Sequence, residues 1–267
     1  MLIPLACAFA QPEKSAWEVL KAGLTDTNPL NRRQAVTATG SIGLDPEAIR
    51  LVEAAMKSDT DLLIRATAAA ELGDMKSRQS IPALKAALDD PSGEVGFAAA
   101  QALWDMGDKT GRGFIEDVVA GQQGATDGGV KGALHRADRL RYDPKKMAII
   151  GAKSASGALL GPFNIGVLAT EQVFKGGAAA ARMEALNLLA QDCDVQTFKL
   201  LQTATTDSKT WAEKAAAAKA LGRCGNPDAI PKLEENLSNS NPAVKFMSAA
   251  AIIRLSEKPA ASASLAR

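Results

Sequence analysis

His135 is the only histidine of the chain, and imidazole is the side chain best suited to acid–base chemistry near neutral pH. Arg136 and Arg139 flank it, and no Ser, Cys or carboxylate recurs beside it at the spacing a nucleophile and base require, so it reads as a solvated helix residue. The three cysteines, Cys7, Cys193 and Cys224, form no Cys/His pattern that suits zinc. No glycine-rich loop of the Walker or dinucleotide type is present. What does recur is a basic residue. Arg32, Arg65, Arg182, Lys214 and Lys245 each follow a loop rich in Asp, Asn or Gly, and Asp26, Asp59 and Asp207 stand six or seven residues upstream of theirs. A row of such cations would suit an anionic ligand. Paired with the loop acids, the same residues form a ladder that holds register, each exposed rung contributing about 0.2–1 kcal/mol. The ladder is the reading we adopt, and the sequence leads us to expect no catalytic residues, no metal and no cofactor.

The spacing of the basic residues shows the elements that carry them. With Gly96 and Lys131 filling the same place in their segments, successive intervals are 33, 31, 35, 51, 32 and 31 residues. A period near 32 fits two antiparallel helices and their turns. The second helix of each pair is the Ala-rich segment holding the marker. The first is an apolar-periodic segment such as Ile49-Val52-Met56, Ile81-Leu84-Leu88 or Ile230-Leu233-Leu237. Pro82 and Pro231 follow an Ile at the start of a first helix, where proline is tolerated. One pair cannot bury its apolar face alone, so neighbouring pairs must stack. The expected fold is all-α, a right-handed α-solenoid of about seven helix pairs.

Composition agrees with helices and narrows the partners. The chain of 267 residues carries 52 Ala against 11 aromatic residues, which favours close-packed helices over sheets. Its 31 Lys and Arg nearly cancel 30 Asp and Glu; nucleic acid is not expected as a partner.

The loop with Asp or Pro, the basic residue and the Ala-x-x-Ala-Leu-Gly run, clearest in Ile64 to Gly73 and Lys214 to Gly222, resemble HEAT repeats, particularly the short bacterial class described in phycobilisome lyases. The resemblance covers roughly residues 15–257 and implies a solenoid that scaffolds protein partners. It divides the chain into N-terminal repeats over 15–142, an apolar Gly-rich insertion over 143–166, C-terminal repeats over 167–257 and a tail over 258–267. The alternative it implies is a protein that handles a small molecule or chromophore, as the lyase members do, although no lyase-specific motif matches.

Helical phase points to a binding face. Counting the marker as zero, positions −1, +3, +6, +7 and +10 are the apolar core positions, which leaves +1, +5 and +8 on the opposite side, and the resemblance to HEAT repeats implies that this side lines the concave surface. These are Phe97, Gln101 and Trp104 in one repeat, Met183 and Asn187 in another, and Phe246 in the last. We read them as the contact surface for a protein or peptide. Trp104 stands where Gly40, Gly73 and Gly222 stand elsewhere.

Three features bear on the compartment. Residues 1–10 resemble the end of a signal peptide, with Ala8-Phe9-Ala10 before Gln11. An exported chain, periplasmic or in the cell envelope if bacterial, is the expectation, with a cytoplasmic one as the alternative. The stretch from Lys131 to Lys146 holds six basic residues against two acidic ones and runs into the insertion, whose glycines, Lys153 and Pro162 argue against a membrane span. Cys193 and Cys224, 31 residues apart, occupy nearly equivalent turns of neighbouring layers. Two free thiols are favoured by the distance of about 8–10 Å between stacked helices, whereas a bridge is open to turns that lean together under oxidising conditions.

Overall fold

The computed structural model of the protein describes residues 6–120 and 177–257. Its helices are α1 Ala6–Leu24, α2 Pro29–Ile42, α3 Pro46–Ser58, α4 Leu62–Asp74, α5 Ile81–Ala87, α6 Gly93–Asp105, α7 Arg112–Ala120, α8 Gly177–Leu189, α9 Val195–Asp207, α10 Trp211–Cys224, α11 Ile230–Glu235 and α12 Pro242–Ser256. No strand occurs among the described residues. Short 3-10 turns precede α5, α7 and α11. His135, the basic stretch from Lys131 to Lys146, the insertion over 143–166 and the tail over 258–267 lie outside the described residues. Residues 6–10 of the leader-like stretch continue directly into α1.

The recurring loop has a defined local task. In four loops an Asp or Asn accepts a hydrogen bond from the backbone two residues on: Asp26 from Asn28, Asp59 from Asp61, Asp90 from Ser92 and Asn239 from Asn241. In three of these the residue so held caps the next helix, with Asn28, Asp61 and Asn241 accepting from Leu30, Leu63 and Ala243. Side-chain caps of this kind satisfy otherwise orphaned backbone donors. Pro29, Pro46 and Pro242 then occupy the first helical position. The Asp/Asn-Pro signature is thus a recurrent helix start.

The helices form two compact units, α3 to α7 in one, and α1, α2 and α8 to α12 in the other. This departs from the division into 15–142 and 167–257, because the first pair belongs with the C-terminal helices. The reason is burial. Of the fifteen residues of α12, eleven are buried, a demand that α10 meets on one side and α1 and α2 meet on the other. Arg254 fixes that contact by donating from Nη1 to the carbonyls of Ser41 and Ile42, at 3.2 and 3.0 Å, at the C-terminal end of α2. A cation there also suits the negative end of the helix dipole. Gly43 comes next with φ of 105°, and a β-carbon on it would meet the same guanidinium at 3.2 Å, so both its backbone and the guanidinium beside it favour glycine.

In α4 and α12 the core positions are those the phase assigns, whereas in α8 the phase fails, with Ala185, Leu188 and Leu189 exposed and Leu186 and Ala190 buried. Ile64, Ala68, Leu72 and Met75 in and after α4, and Val244, Ser248, Ala251, Ile252 and Leu255 in α12, are buried.

Candidate functional site

Layers touch through small residues at a fixed register. A β-carbon at Gly73 of α4 would lie 2.7 Å from that of Ala102 in α6, and one at Gly222 of α10 would lie 3.0 Å from that of Ala251 in α12. In both cases the residue eight after the marker meets the residue six after the marker of the next layer. Glycine is required by this close approach of two helix backbones. Position +8 therefore faces the next layer and not an open groove, which corrects the concave-face assignment for the layers that have a successor.

Phe246 is the clearest case. Placed on the contact surface by phase, it is 5% exposed, and a β-carbon at Gly23 of α1 would sit 2.5 Å from its ring. The first helix pair covers it. Asn187, also assigned to that surface, accepts a hydrogen bond from Arg223 at 2.6 Å and so ties α8 to α10. Met183 is half-buried.

In α6 no second helix of a further layer covers this face among the described residues. Phe97, Gln101 and Trp104 succeed one another at helical spacing and line one side of the helix. Phe97 and Gln101 are half-buried, Trp104 is 41% exposed, and the Gln101 Oε1 is buried without a hydrogen-bond partner among the described residues. Gly96, where the basic marker is missing, is covered by the Phe114 ring of α7, which a β-carbon would meet at 2.6 Å. A long basic side chain has no room there.

Sequence reasoning missed the group that frames Trp104. The Nζ of Lys109 lies 3.4 Å from the centroid of its ring, a cation–π contact worth about 0.5–1 kcal/mol at an exposed site. Gly107, at φ of 83°, turns the chain so that Lys109 returns over the indole. Asp108 accepts from the Thr110 hydroxyl and backbone and pairs with Lys85 at 2.9 Å. The Thr110 hydroxyl first, then Lys85, push the Asp108 carboxyl down to about 2. The short interval between Trp104 and Lys109 was the available signal.

The basic ladder takes a mixed form. Arg65 donates to the Asp59 carbonyl at 2.8 Å and forks onto both carboxylate oxygens of Asp90, in the next loop, at 2.9 Å. That hydrogen-bonded pairing with Asp90 raises its already high pKa. Arg32 donates to the carbonyls of Asp26 and Thr27, while the Asp26 carboxylate, held low by the Asn28 backbone and the Asn31 amide, stays in the loop turn. Arg182 reaches the next layer at Glu213, whose side chain is nearly fully buried, at 2.6 Å. Lys214, Lys245 and Asp207 form no ion pair among the described residues. The rungs are made by arginine because its planar fork can hold a carbonyl and a carboxylate together.

Cys193 and Cys224 are joined in a disulfide, with their Cα atoms 5.5 Å apart. The two residues lie beyond and at the ends of α8 and α10, where turns approach more closely than helix axes do. This is the arrangement that the helix-stacking distance disfavoured. Among the described residues no group of three or more His, Cys, Asp or Glu is placed to hold a metal, and no helix is long and apolar enough to cross a membrane.

The family model of HEAT repeats matches residues 5–72, 55–120, 169–253 and 199–267. The chain belongs to the HEAT-repeat family. No curated protein matches it. Among solved structures, this HEAT-repeat chain is similar to human deoxyhypusine hydroxylase in complex with glycerol, at 18% identity over 94% of this chain and 99% of that one, with a TM-score of 0.34. It is also similar to the complex of CpcE and CpcF of phycocyanin lyase from Nostoc, at 20% identity over 91% and 94%, again with a TM-score of 0.34.

Proposed function

We propose that this HEAT-repeat protein is a non-catalytic scaffold that binds a protein or peptide through the α6 face of Phe97, Gln101 and Trp104. The observation that carries the reading is Trp104 itself. It is a large, exposed aromatic at the position where Gly73 and Gly222 are covered by the next layer. A partner segment laid on α6 would cover the indole together with the half-buried Phe97 and Gln101. Aromatic residues so placed are the usual anchors of interfaces. The disulfide supports an exported protein, because such bonds persist in oxidising compartments.

Affinity capture from a native envelope fraction tests the reading, with wild-type protein set against Trp104→Ala and a Phe97→Ala, Trp104→Ala double variant. A protein retained by the wild type and lost from both variants is the expected result. Retention by the double variant at wild-type level would exclude this face.

A further inference from the structure

We propose that the Cys193–Cys224 bond is a redox-sensitive latch that keeps α8 docked on α10 and releases it when a dithiol reduces the bond. The starting point is how few of the described side chains of α8 are buried. Among the described residues of α8 and the turn after it, the buried apolar ones are Leu186 and Ala190. Leu188 and Leu189 point outward, and in the neighbouring α9 Val195 and Leu200 are 74% and 52% exposed.

Two polar ties run from α8 to α10. Arg182 pairs with Glu213 near the start of α10, and Asn187 accepts from Arg223 near its end. Asn187–Arg223 is an exposed contact that water can replace, whereas Arg182, itself largely exposed, reaches a Glu213 carboxylate that is buried. The disulfide is the third tie and a covalent one, closing the last turn after α8 onto the final residue of α10. Across the other face of α10 the situation is reversed, since Gly222 and Ala251 bring α10 and α12 into backbone contact. Among the described residues, the α10–α12 contact is made by close packing and the α8–α10 contact by polar ties, a covalent bond and few buried apolar residues. Local opening begins in the layer with the fewest buried apolar contacts.

The chemistry balances as thiol–disulfide exchange. A dithiol attacks one sulfur, the Cys193–Cys224 bond breaks, the dithiol leaves as its own disulfide, and two protons end on the two cysteine thiols. Two electrons pass from the dithiol to the protein. The product keeps every residue of the layer but loses the constraint that held it.

Hydrogen exchange read by mass spectrometry on the full chain, oxidised and after treatment with dithiothreitol, tests the latch. Reduction should speed exchange of the α8 amides by on the order of a hundredfold and leave α12 unchanged. A Cys193→Ser, Cys224→Ser variant should show the same pattern without reductant. If that variant does not fold, reduced wild type decides alone. Unchanged exchange in α8 after reduction would overturn the proposal. So would an equal loss of protection in α8, α10 and α12, which would make the bond a staple of the whole unit. Trp104 lies in the other unit, so either result stands apart from the partner-binding test.

Discussion

Helices α6 and α12 carry the same sequence face and meet opposite fates. At +1, +5 and +8 α6 has Phe97, Gln101 and Trp104, and α12 has Phe246, Ala250 and Ile253. In α12 all three are buried, whereas in α6 the face remains partly open and ends on an exposed tryptophan. The difference lies in the neighbour each helix receives. α12 is covered by α1 and α2, helices from the far end of the chain, while Trp104 is framed by Lys109 from its own next turn. A face in a layered helical protein is therefore core or surface according to its successor, and its own sequence decides only which it can tolerate.

The contrast can be broken most directly by trimming the two aromatics. Phe246→Ala should lower unfolding free energy by about 3–5 kcal/mol, as expected for a large buried side chain. Trp104→Ala should cost less, about 1–2 kcal/mol, since the residue is 41% exposed and its cation–π contact adds only about 0.5–1 kcal/mol. Equal losses in urea denaturation would erase the distinction. Next in size come the layer contacts, where Gly73→Ala and Gly222→Ala should each cost about 1–3 kcal/mol by overpacking, measured in the same way. A null effect at both would show that the layers adjust freely.

Smaller effects sharpen the comparison on the α6 side. Asp90→Asn keeps the turn but removes the charge that Arg65 grips, and a loss of about 1–2 kcal/mol is expected for a largely buried, charge-assisted pair. Arg65→Lys should recover little, since the fork is what spans the two acceptors. Least of all, and best read by nuclear magnetic resonance, is the Asp108 carboxyl. Its pKa in the folded chain is about 2, below the ordinary 3.8, so the unfolded chain takes up its proton first as pH falls. Any stability it confers is present above about pH 4 and lost as pH drops through 2. Thr110→Val should move its titration midpoint upward, and an unshifted midpoint would remove the hydroxyl as the main cause.

Helix pairs, their period and their core positions are legible in the sequence because one physical pattern is written several times. The Asp/Asn cap, the marker and the Ala run recur at the same offsets, and Ile64, Leu72, Val244 and Leu255 fall where those offsets put them. The identity of the next layer is written nowhere locally. Phase alone puts Phe246 on a wet face because the helix that covers it starts some two hundred residues earlier in the chain. Gly73 and Gly222 hold the missing clue, since a residue without a side chain, repeated at one offset, marks an approach between backbones. The separation of helix axes argues against the disulfide, yet its cysteines sit in turns, whose distances that separation does not govern.

The seating of α1 and α2 on α12 also sets an order of events for the growing chain. Its hydrogen bonds join residues 206 to 213 apart in sequence, from Ser41 with Met247 to Ser41 and Ile42 with Arg254. Synthesis runs from the N-terminus, so this pair emerges with its apolar side unmatched some two hundred residues before its mate exists. Closing so long a loop is slow compared with forming a local hairpin of helices. The α1–α2 pair is thus made well before it can be finished, and through that delay its unmatched side needs shelter from aggregation.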